Sequence, residues 1–598
     1  MTYTAPQKDM LFTLEHVANA NQILADIHSE IDFDTIAGVM DEAAKLTQDV
    51  IAPLNRLGDL EPSFLKDGKV TTTAGFKNAF DQYTQGGWQG LSHPEDVGGQ
   101  NLPKLLATAC MEMLNSANLS FALCSLLTDG SIEALLTAGS EEQKQLFIPR
   151  MISGQWTGSM NLTEPQAGSD LALVRTRAEP QADGTYKVFG TKIFITYGDH
   201  DLAENIIHLV LARTPSAPED IKGISLFIVP KVNVNPDGSL GAPNDVQCLS
   251  LEHKLGIKAS PTAVLQFGDN GGATGYLIGE ENRGLEYMFI MMNAARFAVG
   301  IQGLSVMERS YQHALSYARE RLQSRPVDGS AREAVAIIHH PDVKRMLLTM
   351  KSTIEACRAM AYHAAGLSDI AHHHADAEVR AAALAQYEFM VPLVKGYSTE
   401  QSIDVTSLGV QIHGGMGFIE ETGAAQYYRD ARILPIYEGT TAIQANDLIG
   451  RKTLRDGGAV ALSFADQIGL TVSELNQSGN ASLTAIATSL SAANAAYRSV
   501  VAHVLAHTKS NPNNVFAGSV PYLKLAGLTI SAWHSARAAL AAQAQLDAGN
   551  NDGEFMTAKI QTALFYAQHL LPQASAIASS ITEGGEAVAQ FDVSGFYS

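Results

Sequence analysis

A block of short β-rich runs, from about residue 156 to 278, interrupts an otherwise helical chain, and no other feature constrains the fold as strongly. The runs YKVFGTKIFIT, NIIHLVLART and GISLFIVPKV are separated by turn-formers such as ADG and NPDG. Before them, FDTIAGVMDEAAKLTQDVIAPL and LPKLLATACMEML space their apolar residues by three and four, the period of a helix, and SHPEDVGGQNLP punctuates between them. After them comes the long amphipathic stretch GLEYMFIMMNAARFAVGIQGLSVMERSYQHALSYARERL, which suits a bundle. The remainder is Ala-rich and helical, with turns at NPNN and AGNNDG. It holds no cluster of chemically useful residues and reads as a packing or assembly domain. At 598 residues the chain exceeds what one core usually serves. The expected fold class is mostly α with an inserted β domain. The expected parts are an N-terminal extension (1–35), a helical domain (36–155), a middle β domain (156–280), a helical bundle domain (281–452) and a C-terminal helical domain (453–598).

Charge narrows the choice of ligand. With 41 Lys and Arg against 62 Asp and Glu, the net charge of -21 repels nucleic acid and anionic membrane, so any anionic ligand must be met by local cations. The start, MTYTAPQKDMLFTLEHV, lacks the basic and apolar parts of a signal peptide, and no run approaches ~18 uninterrupted apolar residues. The expectation is a cytoplasmic protein with no nucleic-acid partner and no stable membrane insertion. Four scattered cysteines without a C-x-x-C spacing suit a reducing compartment and give no metal site.

Three segments could carry chemistry. In the first, Glu438 stands in the apolar-aromatic run Leu434-Pro435-Ile436-Tyr437 and is followed by Gly439 and a helix start at Thr440 or Thr441. A carboxylate in such a wall is desolvated, which raises its pKa toward that of a base for a weakly acidic carbon proton, while Gly439 admits a substrate carbonyl. Taken alone, a Glu before a helix is ordinarily a solvated first-turn residue. In the second, Gly414-Gly415-Met416-Gly417 could expose backbone N–H groups to a diphosphate, although glycine-rich turns between helices are common and this one follows no strand. The third pairs Met160-Asn161-Leu162-Thr163-Glu164-Pro165-Gln166-Ala167-Gly168-Ser169-Asp170 with Lys192-Ile193-Phe194-Ile195-Thr196, a mixture of glycine, hydroxyls and one large aromatic that suits a planar heterocycle.

In this order and spacing, with Lys254-Leu255-Gly256 and Arg296, these segments resemble the acyl-CoA dehydrogenase family over about residues 40 to 451. The T-E-P-x-A-G-S-D and Y-E-G-T-T motifs are specific to it. The flanks resemble a subgroup with an N-terminal extension and an extra C-terminal domain, which includes methylthiopropionyl-CoA dehydrogenases and bacterial fatty acyl-CoA dehydrogenases. The resemblance implies a helical N-terminal domain, a barrel-like middle β domain, a four-helix bundle and FAD as cofactor.

It also implies roles for individual residues. Glu438 is the base, and its N–H, with a ribityl hydroxyl of FAD, polarises the thioester carbonyl. Leu162, Thr163 and Thr196 hydrogen-bond the flavin ring beside Met160, and Phe194 stands on the flavin face where Trp is usual. Ser169 touches flavin or the pantetheine arm. Arg296 lies beside the CoA chain, with Asn293 where Asp is common. Arg321 and Gln323 reach the FAD diphosphate of a neighbouring subunit, Gln411, Gly414 and Gly415 form the opposite wall, and Thr440 and Ala442 complete the adenosine side. Two departures stand out: Ser324-Arg325 replaces the usual Phe-Gly, with an insertion before His340, and Arg451 lies one residue beyond the usual Arg. The alternative position for the base carries Ala295.

The expected reaction is dehydrogenation of a fatty acyl-CoA to trans-2-enoyl-CoA, with electrons passed to an electron-transfer flavoprotein. Ala122 and Leu126, where medium-chain relatives carry Gln and Glu at the pocket floor, point to medium or long chains. The alternative is a 3-methylmercaptopropionyl-CoA dehydrogenase. An acyl-CoA oxidase, a DNA-binding flavoprotein of the same fold and an acyl-CoA-binding protein without turnover are the remaining readings; the net charge opposes the second and Glu438 the third. A homodimer of about 128 kDa, twice the 63.9 kDa chain, is expected.

Overall fold

The computed structural model describes residues 3–597, the side chains of Ile290 and Met291 excepted. Near the start, Asp32 caps α1 (Phe33–Leu46) by accepting from the N–H of Thr35, and Ile36, Met40, Ala43 and Ala44 form its buried stripe. Asn118 separates α2 (Lys104–Ala117) from α3 (Leu119–Ala138) and caps the latter through the N–H of Phe121 at 3.1 Å. By length and composition α3 could cross a membrane, but helices and the sheet bury most of it.

The β block forms one eight-stranded sheet from β1 (Trp156–Asn161), β2 (Arg177–Pro180), β3 (Tyr186–Thr196), β4 (Asn205–Ala212), β5 (Ser225–Pro230), β6 (Val246–Leu251), β7 (Thr262–Phe267) and β8 (Ala273–Ile278). Their order is β6-β7-β3-β8-β5-β4-β1, with β2 paired to β3 and only β1 and β4 parallel. Along β4, Ile207, Leu209 and Leu211 face a core shared with Leu126, Leu127 and Met288, while Val210 and Ala212 face a second core with Phe227 and Phe267. Both faces are covered, which explains why NIIHLVLA shows little polar alternation.

Three long helices follow: α4 (Gly284–Glu320), α5 (Pro341–His373) and α6 (Ala377–His413). Helices α4 and α6 run parallel with their backbones touching. A Cβ on Gly300 would stand 2.5 Å from the Val394 carbonyl oxygen, one on Gly303 would stand 2.9 Å from that of Ser398, and Tyr317 stacks on His413 at 4.5 Å. After the short α7 (Thr441–Asp447) come α8 (Ala459–Gln477), α9 (Ala481–His507), α10 (Ser519–Asp547), α11 (Gly553–Phe565) and α12 (Gln573–Ala589). The fourth long helix packed on this bundle is α10, from the C-terminal region. Its Gly527 lies against the Tyr397 ring, and Tyr397 and Tyr566 hydroxyls meet at 2.9 Å.

The segment expected as an N-terminal extension is built into the core. Asp9, in the helix Gln7–Phe12, pairs with Arg358 of α5 and Lys559 of α11, each at 2.5 Å. Arg358 also meets Glu112 at 2.6 Å and Glu308 at 2.8 Å, so one buried charge network joins the first helix, α2, α4, α5 and α11. Burial raises the Asp9 carboxyl, but Lys559, Arg358 and Lys351 outweigh it and hold the group well below the ordinary range.

Candidate active site

After the helix Ala424–Ala431 the chain enters a tight loop on α6 and α4. Thr440 caps α7 by accepting from Ile443 N–H at 3.4 Å. Thr441 anchors the loop twice: its N–H donates to Pro435 O at 3.1 Å, and its hydroxyl donates to Glu400 at 2.5 Å. Glu438 and Gly439 both take positive φ, 53° and 90°. Glycine adopts this freely, whereas Glu438 holds ~1–3 kcal/mol of strain, a level found where surrounding structure dictates the backbone. The Tyr437 hydroxyl donates to Gln302 on α4, and the buried Lys395 of α6 donates from Nζ to Gly439 O at 2.6 Å. Glu438 is half-buried; burial pushes its carboxyl up, and the opposing pull of Arg296 and Lys395 does not restore it. A carboxylate shifted in this direction is a stronger base than an ordinary one.

Arg296 is buried beside this loop, and its Nε would lie 3.8 Å from a Cβ on Gly439. Its Nη1 reaches Asn293 at 3.5 Å, and its Nε has no hydrogen-bond partner among the described residues. Asn293 in place of a carboxylate leaves this guanidinium available to an anionic or carbonyl ligand. On α7 and just after it, Asp447 and Arg451 meet at 3.5 Å.

The end of β1 supplies the second wall. Lys192 is fully buried, and its Nζ donates to Leu162 O at 3.0 Å and to Glu164 at 2.8 Å. Glu164 also accepts from the Arg175 N–H and from the Thr176 N–H and hydroxyl, while Ile193 N–H donates to Thr163 O at 2.9 Å. This buried pair ties the T-E-P turn to β3 and so positions Leu162 and Thr163; a strand lysine two residues before Phe194 gave little sign of it. Phe194 takes φ 59° and is 59% exposed, while Thr196 pairs with Thr262. Met160 and Leu162 share a core cluster with Leu126, Met292 and Ala295, which brings β1, α3 and α4 together. Gly168 has open space where a Cβ would be, and Ser169 is exposed. A strained, uncovered aromatic beside open backbone fits the flat ring of a flavin. The Lys254-Leu255-Gly256 motif acts at a distance: a Cβ on Gly256 would lie 2.4 Å from the Arg429 backbone, so glycine lets the β domain seat on the helix leading to Glu438.

Not every expected site residue gathers here. Arg321 and Gln323, in contact at 3.4 Å, lie exposed past the end of α4, and Gln411, Gly414 and Gly415 lie at the matching end of α6. Gly414 takes φ 59°, and neither glycine has an atom within 4 Å of a Cβ position, which leaves an open cradle. From Arg296 to Arg321 the helix advances ~37 Å at 1.5 Å per residue, too far for one chain to close a single flavin site with both groups. Thr440 and Ala442 sit beside Glu438, where Gln444 of α7 packs on Gly396, rather than on a common wall with Gly414 of the same chain.

Four family models match in order: acyl-CoA dehydrogenase N-terminal domain (39–155), middle domain (159–270) and C-terminal domain (282–453), then acetyl-CoA dehydrogenase C-terminal like (464–592). The chain is 54% identical to the 3-methylmercaptopropionyl-CoA dehydrogenase of Ruegeria pomeroyi, over 98% of this chain and 99% of that protein. It is 35% identical to a butyryl-CoA dehydrogenase of Syntrophomonas wolfei, over 95% of each. A crystal structure of a Bacillus anthracis acyl-CoA dehydrogenase complexed with FAD shares the fold, with a TM-score of 0.73 at 22% identity, over 94% of this chain and 90% of that one. With its domains in family order and a wall fitted to flavin, this chain belongs to the acyl-CoA dehydrogenase family, FAD enzymes that oxidise a CH–CH bond of an acyl-CoA.

Proposed function

We propose that the chain oxidises a short acyl-CoA, with the 3-methylmercaptopropionyl thioester as the leading substrate and Glu438 as the base that takes the Cα proton. The observation that carries this reading is the loop geometry: a desolvated carboxylate held at positive φ between Arg296 and Lys395. The chemistry that bound FAD would supply is acceptance of a hydride from the substrate. Met160, Leu162, Thr163, Ser169, Phe194 and Thr196 would hold its ring, and Arg296 with Asn293 would flank the CoA chain. Gly439 keeps the approach to the thioester clear, and the enclosing helices exclude water while the proton moves to Glu438.

This substrate class replaces the expectation of medium or long chains. The extensive identity to a protein named for a short sulfur-containing acyl group supports the change. Polar groups around Ala122 and Leu126 also favour it: these two residues line a cavity of about 70 Å³. It is bordered by a Tyr83–Ser125 hydrogen bond of 2.7 Å and by Gln89 and Asn115, whose amide oxygens have no partner among the described residues. A long alkyl tail would leave those groups unpaired. An electron-transfer flavoprotein is the proposed acceptor, and a cytoplasmic homodimer the proposed state.

An acyl-CoA panel with a dye acceptor tests the substrate. The expected kcat/KM is highest for 3-methylmercaptopropionyl-CoA or butanoyl-CoA and falls toward longer chains; a rise toward octanoyl or beyond would overturn this. Glu438→Gln is expected to retain FAD and Tm while losing ~10²–10⁴-fold in kcat. Near-normal turnover in that variant removes the base assignment.

A further inference from the structure

Among the described residues, three lysines are buried, and one is placed differently from the others. Lys192 donates to Glu164, and Lys559 donates to Asp9 and Glu355, so each is matched by carboxylate contact. Lys395 is as deeply buried as Lys192, yet its hydrogen bond goes to a neutral acceptor, the carbonyl of Gly439 at 2.6 Å. A buried ammonium resting on a peptide carbonyl is costly, and it is held next to the residue that follows Glu438.

We propose that Lys395 is the positioning residue of the catalytic loop: its Nζ holds the Gly439 carbonyl, and its charge sets the basicity of the adjoining Glu438 carboxylate. The inference rests on Glu438 being the base. Geometry supplies the first half. Two consecutive residues at positive φ form a hinge, and Lys395 grips the far side of it from mid-α6, while Gln444 lies 3.4 Å from the same carbonyl oxygen.

The charges around the loop supply the second half. Arg296 of α4 acts on Glu438 with the same sign as Lys395. Glu400, a little over one turn along α6, opposes but is engaged by the Thr441 hydroxyl. Asp447 and Arg451, on and after α7, act on Arg296 with opposite signs, and Tyr437 faces Glu438 from the loop. Burial pushes Lys395 down to about 7, with Arg296 adding to the effect and Glu438 and Glu400 opposing it. Its charge is therefore present below neutrality and fades as the pH rises. Since the base must be ionised, activity rises with pH through the Glu438 pKa. Removing a neighbouring cation raises that pKa and moves the acid limb to higher pH.

The test uses FAD-loaded Lys395→Gln, Lys395→Arg and Lys395→Met, with flavin content, Tm, kcat and KM followed against pH. The expected result for Lys395→Gln and Lys395→Met is an acid limb moved up by about one pH unit or more. Lys395→Met, which also loses the hydrogen bond, should fall a further ~10²-fold in plateau kcat with little change in KM. Lys395→Arg should restore the limb toward its wild-type position. An unmoved limb and unchanged plateau in flavin-replete Lys395→Gln would overturn the proposal. Loss of flavin and of the native Tm in all three variants would also overturn it, by making Lys395 a structural residue. Glu438→Gln is run alongside: turnover there defeats the base assignment itself, whereas inactivity there with an unmoved limb in Lys395→Gln defeats only the role of Lys395.

Discussion

Glu438, the proposed base, stands in a backbone conformation that most side chains avoid, and Gly439 continues it at positive φ. At φ 90°, a Cβ on Gly439 would also stand 2.8 Å from the Gln444 amide. Gly439→Ala therefore combines backbone strain of ~1–3 kcal/mol with a contact that the loop can relieve only by moving. The expected outcome is a Tm drop of a few degrees with kcat lowered ~10²-fold, because displacement of the base costs more than the strain itself. Parallel measurement of Tm and kcat checks this; wild-type kcat would mean that the loop has slack. The sequence made Glu438 visible, since a carboxylate inside an apolar run followed by Gly is unusual. It left Lys395 unseen, because a lysine in a helical stretch reads as solvated and the hydrogen bond to Gly439 spans 44 positions.

At the scale of elements, the contact between α4 and α6 is what brings Arg296 and Lys395 to the same loop. Glycine at position 300 allows it. In an isolated helix, Gly300→Ala would be stabilising by about 1 kcal/mol, since Ala is the better helix former. Here the added methyl would meet the backbone carbonyl of Val394 at 2.5 Å, and backbone on a packed helix yields little. The clash is expected to win, lowering both Tm and flavin content; a Tm above wild type would refute the close-packing account. Periodicity made the long helices and the β block legible. It did not show that α10 supplies the fourth long helix on the bundle, because the Ala-rich C-terminal region is apolar on too many faces to name its partner.

For the whole molecule, the separation of the two expected flavin-binding groups matters most. Glu438 and the Phe194 wall sit near mid-bundle, whereas Arg321, Gln323, Gln411, Gly414 and Gly415 lie at one end, among exposed Leu322 and Phe418. A second copy supplying that end would complete each site. The prediction is a wild-type mass of about 128 kDa, twice the 63.9 kDa chain, by light scattering, with FAD lost on Arg321→Ala as the diphosphate loses its charge partner. A monomer with full FAD content would refute both parts. Since α10 and its neighbours cover an outer face of the bundle, a dimer rather than a tetramer is expected; a tetramer would remove only this covering argument.

Read alone, the sequence determined the order of helical and β regions, the family and the flavin, and it singled out Glu438 as the base we propose. Each of these is written in local periodicity or in motifs of contiguous residues. Tertiary structure decided what surrounds them: the buried Lys192–Glu164 pair behind the T-E-P turn, Lys395 under the loop that carries Glu438, and the Asp9 network that makes the first helix part of the core. It also set the two groups of residues expected to hold flavin apart, one near mid-bundle and one past the end of α4. These are contacts between residues far apart in the chain. Whether a Lys or Asp is solvated or buried depends on which helices cover it, and no local pattern encodes that.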